Sequence, residues 1–578
     1  MSLLTPTFKS MITNDFVSNV DSNEYYVFAG KTLGYSANGV VSASNSVDGY
    51  YHEIEKEMIF GKKIGSSDYN LMIKNIAWET DTVYEQYDNT KENLEQSNFY
   101  VVAKEGVDYG VFKCLSNNNG NASTVKPLVS ETSSTDELYE TSDGYIWKYL
   151  YSITEAQYKR FATTDYVPFF DNEAVANNAV VGSINSYVLT DAGLGYDSNV
   201  SGSIAQINIS GLSTKFYIQG DQALTTTVDY YKNNAIYIKS GVGAGQLRKI
   251  TKYGVEGNFK FITVDSAFDT QLSSGDTFEI SPNVVASGDG TGFQARGIVS
   301  SNTTFLDSIE IINQGTGYTR SDLSVEINES VVTESVYTKA TARAIISPKG
   351  GHGSNLQDEL FGHYVGFTSF FIESEVPGEG NDFRTVGIIR NPVFNSAIIE
   401  IDTVSGINVG NTAIQNSTGA TGTVLSINSL DKKITLKDVT GVFSSAADEM
   451  IEINSTDYDI ISIEKNTNTF DQRLPLTVSF TFGSQFLKDE LVVQAGSGAQ
   501  GYVYNDNGTV FVINTKGTFT ISVTDELIGQ ESGSRALITG VGQKDMIDES
   551  EEILYVQNII PIVRTIDNTE RLKIILGF

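Results

Sequence analysis

The chain has very little cysteine, proline and histidine. Its 578 residues include a single cysteine, Cys114, and only nine prolines. One cysteine excludes an intramolecular disulfide framework and any zinc site built from cysteines. Because Val111, Phe112 and Leu115 lie beside it in the sequence, we expect a buried thiol that acts as a small hydrophobic side chain rather than as a nucleophile.

Ligands and motifs for catalysis are scarce as well. The three histidines are His52, His352 and His363, and the last two flank Asp358 and Glu359. A metal site there is conceivable, but the spacing fits no standard zinc or iron motif. No G-x-S-x-G elbow and no complete phosphate-binding loop is present. The sequence therefore predicts no enzymatic activity, no cofactor and no structural metal.

Basic residues are too few to balance the acidic ones. Lys and Arg number 39 against 71 Asp and Glu, which gives a formal charge of −32. Such a surface repels nucleic acid and anionic membranes. No run approaches the roughly 20 apolar residues of a membrane span, and MSLLTPTFKSMITNDF has no signal-peptide pattern. We expect a soluble protein of a reducing cytoplasm, with no nucleic-acid or membrane partner.

Glycine and aromatic residues are abundant, and they indicate the fold class. The chain holds 52 Gly, 30 Tyr and 30 Phe, a composition typical of strands joined by tight turns. It is too long for one hydrophobic core. The sequence predicts a mainly β, multidomain protein: a β-sandwich core with inserted small β-barrel or sandwich modules and a few short helices.

Local patterns predict several individual elements. Asn14–Asp15 is a plausible cap pair for a helix that includes Phe16 and Val17. Alternating apolar residues predict strands and a hairpin. The predicted elements are a hairpin of Phe99–Val102 with Tyr109–Leu115, a short helix at Asn355–Leu360, strands at Tyr364–Ile372 and Phe383–Arg390, and a closing strand at Leu572–Leu576.

One strand carries an aromatic stripe. In DGYIWKYLYSI, strict alternation would place Tyr145, Trp147, Tyr149 and Tyr151 on one face. Such a stripe could bind sugar or a partner protein, or it could form the packed inner face of a sandwich, and packing is the commoner outcome for aromatic side chains.

The sequence contains two kinds of internal repeat. The stretches Tyr187–Tyr196 and Ile309–Tyr318 both end in Gly-x-Gly-Tyr, which predicts a tight turn covered by the tyrosine. A longer repeat has the order G-A-x-G-x-V, a strand ending in G-x-F, then D-E-x-I. It predicts two copies of one β module, at 397–455 and 475–541, with Gly419 and Gly498 in turns and the G-x-F phenylalanines buried.

Long β-rich segments of different character flank Pro348–Pro392, which predicts a core segment between two insertions. The segments of the family resemblance described next then imply a discontinuous core in three parts. The first part of the core is 1–175, followed by an inserted β-rich region at 176–347. The second part is 348–396, followed by the two modules at 397–455 and 475–541. The last part is 546–578, and its closing strand should pair inside the core.

Three segments resemble a known family: DGYIWKYLYSI at 143–153, FRTVGIIRNPV at 383–393, and EILYVQNIIPIVRTIDNTERLKIILGF at 552–578. Together and in this order they are similar to the baseplate wedge subunit, the product of gene eight, of T4-like contractile-tailed bacteriophages. MIFGKKIG at 58–65 and YGVFKCLSNN at 109–118 add weaker similarity. The long insertions depart from the T4 form and resemble versions from phages of marine cyanobacteria.

The resemblance implies a structural protein without enzymatic activity. It implies a homodimer bound to other baseplate wedge proteins, located in the virion tail baseplate and in host cytoplasm during assembly. The alternative is a carbohydrate-binding or depolymerising tail protein. The residues expected at an interface or in the core are Tyr145, Trp147, Tyr149, Tyr151, Phe370, Phe371 and Tyr555, from the apolar segments Tyr145–Ile153, Phe367–Ile372 and Ile553–Val563.

Overall fold

The computed structural model describes residues 4–32, 53–132, 138–206, 214–218, 224–299, 304–332, 337–372, 375, 382–563 and 569–578. His52 therefore lies outside the described residues. Strands take up 50% of the described residues and helices 10%. These proportions, with several separate sheets and small β-barrels, confirm the predicted mainly β, multidomain fold.

The helices are short except for the first. They are α1 Pro6–Ser22, α2 Glu155–Phe161, α3 Glu173–Asn177 and α4 Leu356–Glu359, with a helical turn at 53–57. Single 3-10 turns lie at Leu94–Gln96, Asn118–Gly120, Val129–Glu131 and Glu329–Val331. The predicted helix near Asn355 is confirmed, because the Asn355 side chain caps α4 by accepting a bond from the Asp358 N–H at 3.1 Å.

The cap predicted for the first helix is wrong. Helix α1 begins at Pro6, so Asn14 and Asp15 lie inside it. The Phe8 N–H donates to Thr5 Oγ1 at 3.3 Å, which is the bond of an N-cap residue. Pro6 follows at the first helical position, where its missing N–H costs nothing. This Thr-Pro pair sets the start of the helix.

The strands of the first part of the chain are numbered in order. They are β1 Tyr25–Gly30, β2 Met58–Lys63, β3 Tyr69–Lys74, β4 Tyr100–Glu105, β5 Asp108–Asn117, β6 Leu138–Glu140, β7 Tyr145–Ile153, β8 Tyr166–Pro168, β9 Ile184–Asp191, β10 Val200–Gln206, β11 Lys215–Ile218, β12 Ala235–Ser240, β13 Leu247–Glu256, β14 Phe259–Val264, β15 Thr277–Ser281, β16 Asn283–Gly288, β17 Thr291–Val299, β18 Leu306–Thr316, β19 Ser321–Glu326 and β20 Thr341–Ile346.

The strands of the second part follow in the same way. They are β21 Tyr364–Phe371, β22 Asp382–Arg390, β23 Ala397–Ile401, β24 Thr412–Gln415, β25 Ala420–Asn428, β26 Lys433–Thr440, β27 Met450–Ile453, β28 Thr456–Lys465, β29 Thr469–Asp471, β30 Leu474–Phe482, β31 Leu491–Gln494, β32 Ala499–Asp506, β33 Val510–Lys516, β34 Glu526–Gly529, β35 Arg535–Val541, β36 Glu552–Val563 and β37 Glu570–Gly577.

The chain divides into two compact units. Unit 1 comprises Met1–Ser10 and Leu71–His363, and unit 2 comprises Met11–Asn70 and Tyr364–Phe578. Residues 1–175, expected to form the first part of one core, contribute to both units. The predicted single core of 1–175, 348–396 and 546–578 stays a prediction.

Unit 1 contains two antiparallel sheets and a barrel. The first sheet has the order β4-β5-β7-β6, and its β4–β5 pair confirms the predicted hairpin. The second has the order β18-β17-β16-β19-β20-β9, and a barrel of β10 to β15 is inserted between β9 and β16. Apolar side chains lie on both faces of the first sheet, because two core clusters draw on β5 and β7.

The two Gly-x-Gly-Tyr turns of the second sheet are confirmed. Gly193 and Gly315 both have φ of +64°, a conformation that favours glycine. Tyr196 and Tyr318 are buried. A Cβ on either glycine would lie 2.8 Å from the ring of its tyrosine, so each tyrosine does pack back over its turn.

Unit 2 contains one sheet, a strand pair and two barrels. The sheet has the order β29-β2-β1-β22-β36. Strand β37 pairs antiparallel with β21, so the predicted closing strand pairs with a segment of 348–396 as expected. The strand between the two barrels, β29, returns to the sheet and pairs with β2.

The two sequence repeats form closed barrels with the same strand order. One ring is β23-β26-β25-β24-β27-β28, and the other is β30-β33-β32-β31-β34-β35. As predicted, Gly419 and Gly498 have positive φ, at +73° and +71°, and Phe443 and Phe519 are buried. The first barrel extends beyond 455, because β28 closes the ring.

The D-E-x-I landmark is out of register by one residue. Glu449 directly precedes β27, whereas Asp525 directly precedes β34. In the structure, Asp525 therefore occupies the position equivalent to Glu449. It does not correspond to Asp448, although both of these residues are aspartates in the D-E-x-I motif. Aligning the two motifs by identical residue type was wrong here, because the register of the strand decides which side chains point into the barrel.

The barrel of unit 1 has the same ring order after a circular permutation. Read from β11, its ring is β11-β14-β13-β12-β15-β10. If β10 is counted as the sixth strand instead of the first, the order equals that of both barrels in unit 2. All neighbouring strands in the three rings are antiparallel.

A shared contact supports this correspondence. In each barrel an acidic residue directly precedes the fifth strand of the ring as written above and accepts hydrogen bonds from the loop that joins the fourth strand of the ring to the third, which is β12 to β13, β24 to β25 and β31 to β32. The contacts are Asp276 with the Val242 N–H at 3.1 Å, Glu449 with the Ser417 hydroxyl, and Asp525 with the Gly496 N–H at 2.7 Å. We infer that the chain contains one barrel design three times.

Candidate functional site

The aromatic stripe of β7 is mostly buried. Tyr145 and Trp147 are 0% exposed and stack with their ring centroids 5.3 Å apart. The Tyr145 hydroxyl donates to the Asn121 carbonyl at 2.5 Å and accepts a bond from the Tyr84 N–H. Tyr149 is half-buried against the same cluster. These rings pack inside unit 1 and do not form a free binding surface.

A β-bulge contradicts the prediction that all four aromatic residues share one face. Val111 pairs with Tyr151 while its neighbour Phe112 pairs with Tyr149, so Leu150 is an extra residue in β7. A bulge reverses the alternation of the side chains beyond it. Tyr151 therefore joins the cluster on the other face of the sheet.

The predicted residues of unit 2 differ in exposure. Phe371 is buried and packs edge-to-face on Phe60, with ring centroids 5.1 Å apart. Phe370 is 42% exposed, and the Arg571 guanidinium lies 5.7 Å from its ring centroid. Tyr555 is half-buried, and its hydroxyl donates to Gln557 at 2.6 Å. Of these three, Phe370 presents the most apolar surface.

Strand β36 lies at the edge of its sheet and carries exposed apolar side chains. It is the terminal strand of its sheet, so its outer edge has no strand partner within the described part of the chain. Near its end Ile560 is 74% exposed, Ile562 45% and Val563 55%. Exposed apolar edge strands are ready sites for pairing with another chain.

Glu359 and the two histidines that bracket it do not form a common ligand set. Glu359 binds the Lys113 ammonium at 2.7 Å, and both side chains are buried. His352 is buried and packs edge-to-face on Tyr87, with ring centroids 5.0 Å apart. Burial lowers the pKa of His352, and Lys113 and Lys148 lower it further. His352 is therefore neutral at physiological pH.

The remaining members of that stretch have other roles. Asp358 accepts a bond from the Thr7 hydroxyl at 3.0 Å and another from Ser10. His363 is buried, and burial lowers its pKa. Within the ranges that the structure describes, no group of three His, Cys, Asp or Glu residues comes together as metal ligands.

Cys114 is placed as the sequence predicts. It is 0% exposed, and its thiol donates to the Ser116 carbonyl at 3.5 Å. Burial raises the pKa of the thiol well above its usual value. A thiol held protonated and covered in this way is unreactive.

Unit 1 contains a polar groove with a volume of about 830 Å³. One wall is formed by 308–314 of β18 and by 185–187 of β9, and the other by β6, the start of β7 and the turn at Asn118–Gly120. The two strands of the first wall are joined by side chains. The Ile309 N–H donates to the Tyr187 hydroxyl at 2.7 Å, and the Asn185 amide donates to Gln314.

A small chamber adjoins the groove. It has a volume of about 20 Å³, is lined by Lys148 and His352, and shares Leu138, Asn185 and Gln314 with the groove. His352 is only 4% exposed, and its Nδ1 has no hydrogen-bond partner among the described residues. The groove could not be predicted from the sequence, because its lining comes from seven separate stretches of the chain.

The comparisons with family models and with curated proteins find no match. None of the helices in the described ranges has the length and apolarity needed to cross a membrane.

Proposed function

We propose that the chain is a structural baseplate wedge protein of a contractile phage tail, without enzymatic activity or cofactor. It forms a homodimer, binds other baseplate wedge proteins, and resides in the tail baseplate after assembly in host cytoplasm. The proposal begins from the resemblance of three segments to the wedge subunit of T4-like phages.

One observation carries the proposal. Two of those segments are far apart in sequence, yet they pair along their length as β22 and β36, from Arg390 opposite Glu552 to Asp382 opposite Val563. The two barrels that separate them in sequence are closed rings. A closed ring has no free edges, so such modules can be inserted without competing for the strands of the sheet.

The exposed surfaces of unit 2 support an assembly role. The exposed end of β36 and the half-exposed Phe370 supply apolar contact area in a chain of charge −32. Stable interfaces have an apolar centre from which charge is depleted. An uncharged segment is therefore where two such acidic chains could meet.

The alternative function gains nothing from the stripe that suggested it. A carbohydrate-binding or depolymerising tail protein was motivated by the β7 aromatic residues, and Tyr145, Trp147 and Tyr151 are buried.

Cryo-electron microscopy of the intact tail that contains this chain tests the proposal. The expected result is density for both units in the baseplate, in contact with other wedge proteins. Location in a fibre or outside the tail, or glycan cleavage by the purified chain, would contradict it.

A further inference from the structure

The groove of unit 1 has the size of a site for a small ligand. Its volume of about 830 Å³ lies within the roughly 300–1,000 Å³ of typical ligand pockets. Seven consecutive residues of β18 form one side of it, and seven residues of a strand extend over about 23 Å. The groove is therefore long enough for a chain of several small rings.

Its chemistry is that of amides, hydroxyls and aliphatic side chains. Six amide side chains line it: Gln86, Asn118, Asn119, Asn185, Asn313 and Gln314. Among the described residues no Lys, Arg or His lines it, and of the two carboxylates found there Glu310 is already paired with Arg296 at 2.6 Å. Amides both donate and accept hydrogen bonds, as sugar hydroxyls do.

We propose that this groove binds a neutral oligosaccharide. Ile146 and Ile311 offer apolar surface to the C–H faces of sugar rings, while the amides fix the hydroxyls. An acidic glycan is disfavoured, because the lining has no cation and the whole chain carries −32. The inference does not rest on the proposed function, since it concerns unit 1 alone.

Part of the site is already fixed before a ligand arrives. Asn185 accepts a bond from the Ser183 hydroxyl at 2.7 Å and donates to Gln314, so neither amide has to be ordered on binding. Sites organised in advance lose less entropy when they bind. This network leads from the groove to the chamber that holds the buried His352.

The chamber couples His352 to the occupant of the groove. A space of about 20 Å³ can hold one water molecule. Such a water would lie beside both His352 and the Asn185–Gln314 pair, because all three residues line the chamber. A ligand that contacts this pair therefore changes the surroundings of the His352 imidazole, while His363, which does not line the groove, stays unaffected.

The test is binding of neutral trisaccharides to the full chain. Saturation-transfer NMR would be recorded with maltotriose, cellotriose, chitotriose and mannotriose at millimolar concentration, and with trigalacturonic acid as the acidic comparison. The imidazole resonances of His352 and His363 would be followed in the same titration. We expect binding of at least one neutral trisaccharide together with a shift at His352 alone.

Variants locate the binding. Ser308→Trp fills the groove and should weaken binding at least about tenfold, which corresponds to about 1.4 kcal/mol. Ser274→Trp makes the same change at an exposed serine of the β10–β15 barrel and should leave binding unchanged. Asn313→Ala removes one exposed amide of the lining and provides a milder second variant.

Three results would overturn the proposal. They are absence of binding by every neutral trisaccharide to the folded chain, binding that survives both Ser308→Trp and Asn313→Ala, and preference for trigalacturonic acid.

Discussion

At the scale of single residues, unit 2 contains a partly buried carboxyl group, that of Glu551, which titrates near neutral pH. Burial raises the pKa of Glu551 to about 7, and the nearby carboxylates of Glu55 and Asp548 act in the same direction. Its Oε2 is buried without a hydrogen-bond partner among the described residues. The folded chain therefore holds this proton more tightly than the unfolded chain does.

The sign of the pH dependence follows from that difference. Below about pH 4.5 Glu551 is protonated in both states and costs nothing. As pH rises from 4.5 to about 7 the unfolded chain releases its proton first, so stability falls. Glu551→Gln should raise the free energy of unfolding by roughly 1–3 kcal/mol at pH 8 and by much less at pH 4.

Thermal unfolding of the variant at the two pH values measures this effect. Glu53→Gln, at an exposed position of the same unit, is the matched control and should have little effect at either pH. An equal gain at pH 4 and pH 8 would show that Glu551 does not titrate as described.

A buried ion pair in unit 1 gives a second residue-scale prediction. Lys113 and Glu359 are 0% and 4% exposed, and Glu359 also accepts the Gly353 N–H at 2.8 Å. Lys113→Met should lower the free energy of unfolding by about 3–5 kcal/mol, because it leaves the buried carboxylate of Glu359 without its cation. Adding Glu359→Gln should restore most of this loss, because the amide is uncharged and still accepts the Gly353 bond.

Native-state hydrogen exchange of the β5 amides measures both variants locally. Lys159→Met removes one partner of an exposed pair with Glu155 and should change stability by less than about 1 kcal/mol. If the double variant is no more stable than Lys113→Met alone, the loss does not come from an unpaired charge.

At the scale of elements, the repeated landmarks of the barrels have a steric explanation. Gly441 and Gly517, the glycines of G-x-F, have φ of +74° and +70°. A Cβ there would lie 2.9 Å and 3.2 Å from the Cα of Ala420 and Ala499, the alanines of G-A-x-G-x-V. The G-x-F and G-A-x-G-x-V motifs therefore recur together because the glycine of the first packs against the alanine of the second.

This contact predicts unequal costs for the same substitution. A Cβ at Gly419 would have no atom within 4 Å. Gly419→Ala should therefore lower the free energy of unfolding only by the strain of the left-handed backbone, about 1–2 kcal/mol. Gly441→Ala carries the same backbone cost and adds about 1–3 kcal/mol of overlap with Ala420. Gly498→Ala and Gly517→Ala repeat the comparison in the other barrel. Thermal unfolding would measure all four, and equal losses at Gly419 and Gly441 would contradict the steric account.

The sequence predicted the repeated motifs of the barrels but not the buried glutamine that ends one strand of each. Gln415 and Gln494 are both 0% exposed, and each side chain bonds the backbone N–H and carbonyl of one loop residue, Ser444 and Thr520 respectively. Each glutamine lies shortly before its G-A-x-G-x-V motif, so the repeat in the sequence already included it. Glutamine is usually exposed, and its role emerges only when the loop it bonds is brought beside it.

Other features could not be predicted because they depend on pairing between distant strands. The bulge at Leu150 follows from the register of β5 against β7, and alternation within β7 alone gives no sign of it. The similarity of the unit 1 barrel to the other two could not be predicted for a similar reason. Its sixth strand, β10, comes first in the chain, so a search for repeats in the same order misses it.

At the scale of the whole molecule, unit 2 holds its second barrel through a buried cation. The Lys31 ammonium, 0% exposed, binds Asp382 at the start of β22 at 2.8 Å and Asp489 of the barrel at 2.5 Å. Lys31 keeps the pKa of Asp382 well below its usual value, in spite of burial. The barrel is therefore fixed to the strand that carries one of the family-like segments.

The last prediction concerns assembly and rests on the proposed function. If the exposed end of β36 forms the dimer contact, Ile560→Lys with Ile562→Lys should convert the dimer to a monomer, because two cations would be buried at its centre. The change makes the acidic chain less negative, so greater net repulsion could not explain the loss. The double variant Val409→Lys with Leu430→Lys, at exposed positions of the first barrel of unit 2, should stay dimeric. Light scattering at micromolar concentration gives the mass of each. A monomeric unmodified chain would contradict the dimer, and a dimer that survives the β36 change would place the contact elsewhere.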